Sequence, residues 1–200
     1  MEKPAETQHP IHELLVRRWS PRAFADRAIE PEKLRSLLEA ARWAPSSFNE
    51  QPWSFIVATK DDSAEYERLL GCLVEFNQGW AKAAPMLMIS VASLKFAHNN
   101  KDNRHAMHDV GLASENLVIQ ATALGLFAHG MAGFDVEKAR ETYGIPDTHL
   151  PAAAWAIGYA GDTDSLDPQL RERELAPRER KQIAEFVFSG KWGKTAAVAR

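Results

Sequence analysis

Apolar residues recur at helical spacing in several segments of the chain. The clearest helix is predicted over residues 104–124, where Val110, Ala113, Leu117, Ala121 and Leu124 stand three or four apart. Shorter helices are predicted over 11–17, from Pro31 to about 43, over 62–78 and over 135–143. Because segment 104–124 is apolar on more than one side and rich in Ala, Gly and Ser, we expect it to be central and closely packed.

Short apolar and β-branched runs between these helices predict strands over residues 53–59, 86–91, 126–129 and 152–159. Four strands that alternate with longer helices favour an α+β or α/β sandwich. We expect residues 1–10 to be a loose lead, residues 11–160 to be one domain, and residues 161–200 to be a C-terminal extension. The extension is too polar to form its own core, so it must lie on the domain, on a partner subunit or in solvent.

Composition narrows the functional classes. The chain has 200 residues and a net charge of −3, which argues against a nucleic-acid domain built on a broad basic surface. A single cysteine, Cys72, rules out an internal disulfide and every zinc site with several cysteines. With no apolar run of membrane-spanning length and no secretory signal, we expect a cytoplasmic protein that binds neither nucleic acid nor membrane.

Several common motifs fail. The chain lacks Gly-x-Gly-x-x-Gly, and residues 190–195 only imitate the end of a P-loop because Phe188 stands where that motif needs glycine. His105 and His108 are three residues apart on a predicted helix, but they lack a third metal ligand. We therefore predict no metal site, and we interpret Cys72 as a small core residue.

Three separated segments carry unusual polar chemistry. Residues 17–22 hold three arginines and a serine, whose charges repel unless an anion or carboxylates lie between them, and the arginine fork suits phosphate. Residues 45–53 crowd hydroxyls and amides between a helix and a strand, and residues 178–181 form a second cationic cluster. Together they predict a pocket for a phosphate at one end and an amide-bearing ring at the other.

These segments resemble, in order, the motifs of the nitroreductase family of flavin enzymes. Residues 18–24 are similar to the family's Arg-Arg-Ser-x-Arg-x-Phe, and residues 45–53 to its Pro-Ser-x-x-Asn-x-Gln-Pro-Trp. Further resemblances lie in Phe76-Asn77, in the central helix around residues 109–117, in Gly130–Phe134 and in Arg178-x-Arg180-Lys181. The resemblance covers about residues 11–188, nearly the whole chain.

The resemblance implies a three-layer α+β sandwich, with a central mixed or antiparallel sheet of about four to five strands flanked by helices. It also implies an intertwined homodimer that binds one FMN per active site at the subunit interface. The central helix would lie in the dimer core, and residues 161–200 would wrap over the partner. The implied chemistry is ping-pong: NADH or NADPH reduces FMN and leaves, and an electron-poor acceptor then takes the electrons.

Site residues carry over from the family position by position. The resemblance assigns FMN contacts to Arg18, Trp19, Ser20, Arg22, Pro45, Ser46, Ser47, Asn49, Gln51, Asn77, Met131, Ala132, Gly133, Arg178 and Arg180. Arg18, Arg22 and Arg180 would hold the phosphate and the pyrimidine edge, and Arg22 would stabilise negative charge on the reduced ring. The loop residues Ser46, Ser47, Asn49 and Gln51 would come from the other subunit. No acid–base catalytic residue is predicted.

The acceptor is less well defined by the resemblance. Trp19, Trp80 and Ala132 replace residues that are usual in relatives, and Phe48 with Trp80 would make an aromatic pocket suited to flat quinones or nitroaromatics. A flavin reductase, a flavin-destroying enzyme, a dehalogenase or an enal or aldehyde reductase of the same fold is an alternative. A non-enzymatic flavin-binding dimer is another. The sequence leaves the choice between NADH and NADPH open.

Overall fold

The chain folds around a four-stranded antiparallel sheet of order β1-β2-β4-β3. A computed structural model describes residues 3–199. Its strands are β1 (Trp53–Thr59), β2 (Met86–Ser93), β3 (Phe127–Met131) and β4 (His149–Gly158). All neighbouring strands pair antiparallel, so the expected α+β class is confirmed and the sheet is not mixed.

Helices cover both faces of this sheet. The α-helices are α1 (Glu13–Arg17), α2 (Pro31–Arg42), α3 (Ser63–Leu70), α4 (Glu75–Ala81), α5 (Ala106–Ala123), α6 (Val136–Tyr143) and α7 (Pro168–Leu175). Successive residues of β2 point to opposite faces, so Leu87 and Ile89 enter one core and Met86 and Met88 enter another. Helices α3, α4 and α6 close the first core, and α2 and α5 close the second, which confirms the three-layer arrangement.

The single helix predicted over residues 62–78 is wrong. Helix α3 ends at Leu70 and α4 begins at Glu75. Between them the chain turns at Gly71, and Leu73 forms a bridge with Phe134 while the amide of Val74 donates to the carbonyl of Gly133 (3.1 Å). Pairing with a distant segment outweighs local helical periodicity at this point, because both apolar side chains of the bridge are buried there.

Strand β4 is also longer than its apolar pattern indicates. It begins at His149 and includes Pro151, which sequence rules place outside central strands. At Pro151 the strand pairs with β2 but lies beyond the β3 pairing, and the β2 register shifts between Ser90 and Val91. The missing amide of Pro151 is therefore accommodated at an irregularity of the ladder.

Both ends of the chain contact the rest of the domain. At the N-terminal end, the amide of Ala5 donates to the carbonyl of Val16 (2.9 Å) and Lys3 Nζ donates to the carbonyl of Glu174 (2.5 Å). The extension contains an unpredicted helix, α7, which packs on its own domain through the buried side chains of Leu170 and Glu174. Beyond it, Trp192 is 91% exposed.

No helix among the described residues combines the length and the hydrophobicity that a bilayer crossing requires.

Candidate active site

Three of the predicted phosphate-binding arginines line one groove. Arg18 follows α1, and Arg178 and Arg180 follow α7, so two ends of the domain meet there. The groove has a volume of about 690 Å³ and an apolar side formed by Ile11, Leu15, Ile183 and Phe186. Arg18 Nη1 also donates to Ser20 Oγ at 3.4 Å. The groove thus contains Arg18 and Arg180 of the predicted phosphate site but not Arg22, which lies elsewhere.

The charges in this groove repel one another. Burial lowers the pKa of Arg18, and nearby Arg180 lowers it further, whereas Glu115 acts in the opposite direction. Burial and the charges of Arg18 and Arg180 lower the pKa of Arg178 in the same way. Within residues 3–199, none of the three guanidiniums has a carboxylate within 4.0 Å. The positive charges of the three guanidiniums would therefore attract an anion into the groove.

Arg178 differs from the other two in what it binds. Its Nη1 donates to the carbonyls of Lys3 (2.7 Å) and Val16 (3.0 Å), so this guanidinium ties the N-terminal segment to α1. Arg180 is exposed, and its Nη1 donates only to the carbonyl of the preceding residue, Glu179 (2.7 Å). Arg18 and Arg180 are therefore better placed than Arg178 to receive a phosphate.

A second cluster surrounds Arg22. Its guanidinium carbon lies 5.9 Å from the centre of the Trp80 ring, and its Nη1 lies 3.8 Å from Glu174 Oε2. Trp80 in turn stacks on Phe24 with centroids 6.5 Å apart. Arg22 Nε and Glu174 Oε2 are both buried without a hydrogen-bond partner, as is Trp19 Nε1. Buried polar atoms without a partner are rare in folded proteins, so this cluster is polar in an unusual way.

Trp80, which the resemblance assigns to the acceptor pocket, is buried in this copy of the chain. Its side chain is 3% exposed, and its Nε1 donates to Asn77 Oδ1 (3.2 Å). Asn77 Nδ2 then donates to the carbonyl of Gly133 (2.9 Å). A methyl group on Gly133 would stand 2.5 Å from that nitrogen, so the close approach requires glycine. Trp80 thus positions Asn77 and supports Arg22, and its contact with an acceptor stays a prediction.

The neighbouring loop residues are divided between core and surface. Met131 is 4% exposed and lies in the core, whereas Ala132 is exposed beside Gly133. His129, on β3, lies against Trp80 with ring centres 4.6 Å apart, and its Nδ1 is 2.9 Å from the carbonyl of Pro21. Burial lowers the pKa of His129 to about 4, partly opposed by the hydrogen bond to Pro21. The imidazole is therefore neutral near pH 7.

The third predicted segment is a strained loop. Phe48, Asn49 and Gln51 have φ values of 56°, 56° and 53°, the left-handed region that costs non-glycine residues energy. The loop is held by Ser46 Oγ, which accepts from the amide of Gln51 (3.0 Å), and by Asp109 Oδ2, which accepts from the amide of Ser47 (2.9 Å). Pro45 is exposed beside it, and Phe48 is 86% exposed.

This loop and the segment that carries Arg22 lie toward opposite ends of the sheet. The loop leads into β1, and the carbonyl of Pro52 accepts from the amide of Ser93 at the end of β2. The Arg22 segment is anchored at the other end, where Phe24 bridges Ala160 just after β4. Strand β2 has eight residues, so these ends are roughly 25 Å apart at about 3.3 Å per residue. Within one copy of the chain, the loop and Arg22 are therefore not adjacent.

Comparison with known proteins decides the family. The sequence model of the Nitroreductase family matches residues 15–159, well over half of the chain. The chain belongs to this family. The resemblance and the enzyme class, an oxidoreductase of the nitroreductase type, are thereby confirmed.

The chain is similar to relatives with and without an assigned activity. It is 36% identical over 133 residues to an uncharacterized 15.4 kDa protein of Mycolicibacterium smegmatis, covering 66% of this chain and 88% of that one. It is 29% identical over 153 residues to an Archaeoglobus fulgidus protein with the provisional name NADH dehydrogenase/NAD(P)H nitroreductase, covering 74% and 84%.

Solved structures share the fold of this chain. The crystal structure of an oxidoreductase containing FMN has 36% identity and a TM-score of 0.89, covering 95% of this chain and 96% of that one. An FMN-dependent nitroreductase of Clostridium difficile R20291 has 26% identity and a TM-score of 0.62, covering 78% and 94%.

Several residues near the predicted site are not among those that the sequence indicates. Phe96 lies 5.9 Å from Phe48, ring centre to ring centre, and His98 lies 5.4 Å from Phe96, so three rings form an exposed cluster beside the strained loop. Glu50 Oε1 fastens the two loops by accepting from the amide of Ala97 (2.6 Å). Phe96 could have been noticed in the sequence as an aromatic residue within a polar stretch. Nothing in the sequence marks Glu174, because its helix has the pattern of a charged, solvent-exposed segment.

Proposed function

We propose that this nitroreductase is an FMN-dependent oxidoreductase that takes a hydride from NADH or NADPH and reduces an electron-poor acceptor such as a nitroaromatic or a quinone. The observation that carries the proposal is the groove in which Arg18, Arg178 and Arg180 meet without an ion-pair partner among the described residues. The similar oxidoreductase that contains FMN supports the choice of anion.

The residues present fit FMN. Arg18, Ser20 and Arg180 offer guanidinium and hydroxyl donors for a phosphate. Arg22 Nε and Trp19 Nε1 are buried donors without partners, which suits a ring edge rich in acceptors. Asn77 and the Gly133 backbone, already joined by a hydrogen bond, would border the ring.

FMN, when bound, supplies a carrier that accepts a hydride from the nicotinamide and gives electrons to the acceptor in a separate half-reaction. The protein's own work is binding and electrostatics. The Arg22 charge would favour the negatively charged reduced ring, and Trp80 and Glu174 keep that guanidinium in place. The exposed Phe48 ring would contact a flat acceptor.

We also infer a homodimer in which Ser46, Ser47, Asn49 and Gln51 of one copy complete the site of the other. The separation of the loop from Arg22 along the sheet is the first support. The second is the amount of exposed apolar surface: Ile11 is 47% exposed, Phe186 58% and Trp192 91%. Such surfaces are usual at obligate interfaces and costly in a monomer. The outer part of the extension, beyond α7, would then cover the partner.

One spectrum tests the cofactor and the chemistry. The purified protein should show a flavin absorbance band that bleaches anaerobically with NADH or NADPH and returns when a quinone or nitroaromatic is added. A protein that binds no FMN after reconstitution contradicts the proposal. A yellow protein that neither nicotinamide reduces points to the non-enzymatic flavin-binding dimer instead.

Complementation tests the shared site. Arg180→Gln and Asn49→Ala should each lose FMN affinity as homodimers, and Arg180→Gln should weaken FMN far more than riboflavin, which lacks the phosphate. After unfolding and refolding together, mixed dimers contain one site with both native segments, so binding returns. Recovery would fail if each chain built its site alone. Arg35→Gln, which removes an exposed charge on α2, is the matched control.

A further inference from the structure

Glu174 is the most deeply buried acidic group near the candidate site. It lies on α7 and is 1% exposed, although its helix is otherwise polar. Its Oε1 accepts from the backbone amides of Arg22 (2.8 Å) and Ala23 (3.2 Å). Its Oε2 faces Arg22 Nη1 at 3.8 Å and has no hydrogen-bond partner. The buried carboxylate of Glu174 therefore contacts both the backbone amide and the guanidinium of Arg22.

The other groups around Arg22 do not replace this carboxylate. Trp80 presents the face of its ring, His129 is neutral near pH 7, and Lys3 brings a second positive charge. Lys3 Nζ is bound to the backbone carbonyl of Glu174 rather than to its side chain. Glu174 is therefore the only carboxylate paired with Arg22 among the described residues. Because the pair is largely shielded from water, its charges are weakly screened.

We propose that Glu174 is a positioning residue that sets the reduction potential of bound FMN by offsetting the charge of Arg22. The inference rests on the proposed function, in which Arg22 stabilises the reduced ring. A fully uncompensated guanidinium would hold the negatively charged reduced ring more strongly than the oxidised ring. With Glu174 beside it, that preference is reduced, and the bound cofactor remains able to pass electrons to an acceptor.

The test is the midpoint potential of bound FMN, measured by anaerobic dye equilibration in the holoenzyme. Glu174→Gln keeps an oxygen that accepts from the amides of Arg22 and Ala23 but removes the charge. We expect it to raise the preference for reduced over oxidised FMN by about tenfold, which corresponds to about 30 mV for two electrons. Dissociation constants for oxidised FMN, measured by fluorescence, give a second readout that does not depend on turnover.

Glu172→Gln is the matched control, because it removes one exposed negative charge from the same helix. An unchanged potential in Glu174→Gln, or an equal shift in Glu172→Gln, overturns the inference. If Glu174→Gln does not fold, Glu174→Asp serves instead: its shorter carboxylate withdraws from Arg22, so a smaller shift of the same sign is expected and no shift is contrary. Failure of the wild type to bind FMN defeats the proposed function itself and is seen before any variant is titrated.

Discussion

The carboxylate of Asp109 reaches from the first turn of α5 to the strained loop before β1, where its Oδ2 accepts the amide proton of Ser47 at 2.9 Å. Asp109 is 2% exposed, and its other oxygen lies 2.9 Å from His108 Nδ1. The contact joins residues that are 62 positions apart in the chain. It couples the central helix to the loop that we assign to the partner's cofactor site.

Asp109→Ala should therefore loosen the loop. The substitution leaves the half-buried Ser47 amide without its acceptor, which costs about 1 kcal/mol of unfolding free energy. FMN affinity should fall with it, since Ser47 and Asn49 lose their fixed positions. Urea unfolding and FMN titration measure the two effects. Asp61→Ala, at an exposed position, should change neither, and equal behaviour of both variants would disprove the role of Asp109.

Gly133→Ala should destabilise the protein by about 1–3 kcal/mol, because the new methyl group would meet Asn77 Nδ2 at 2.5 Å and break its hydrogen bond to the Gly133 carbonyl. Gly79→Ala is the matched comparison. It lies in α4 with nothing within 4 Å of the added carbon, so it should stabilise by about 0.5–1 kcal/mol. Thermal unfolding of the two variants should shift in opposite directions.

Substitutions at Phe48 and Trp80 should affect different properties, acceptor preference at Phe48 and stability at Trp80. Phe48→Ala removes a side chain that is 86% exposed, so unfolding free energy should change by less than about 0.5 kcal/mol, while the ratio of kcat/KM for quinones and nitroaromatics changes. Trp80→Phe removes the hydrogen bond to Asn77 and should destabilise by about 1–3 kcal/mol without altering that ratio. A changed ratio of kcat/KM in Trp80→Phe would indicate that Trp80 contacts the acceptor.

His129 should make stability depend on pH. Its folded pKa of about 4 lies below the usual 6.5, so the folded state resists protonation. The stability that comes from keeping His129 neutral is fully present above pH 6.5 and is lost as the pH falls toward 4. Wild-type unfolding free energy should therefore drop by about 2 kcal/mol more between pH 7 and 4.5 than that of His129→Gln. His98→Gln, at an exposed ring, should follow the wild type; equal slopes for all three would refute the assignment.

Sequence patterns predicted secondary structure best where the environment of a residue depends on its neighbours along the chain. Helix α2 begins at Pro31 as its sequence indicates, and β1 has the predicted bounds. The continuous apolar run from Met86 reflects a strand that is buried on both faces. The same reasoning failed at Gly71–Val74, where pairing with residues about sixty positions away replaces helix. It also gave no indication that the neighbours of Trp80 enclose its side chain.

The amino-acid sequence by itself determined the family, the alternation of strands and helices, and the residue types that suit a phosphate and a planar ring, because each of these depends on short-range spacing and side-chain chemistry. Only the tertiary structure decided that Arg18 and Arg180 share a groove, that Glu174 is buried against Arg22, and that the Ser46–Gln51 loop lies at the far end of the sheet. Those relationships depend on which distant segments exclude water together, and that is a property of the packed chain rather than of any local stretch of it.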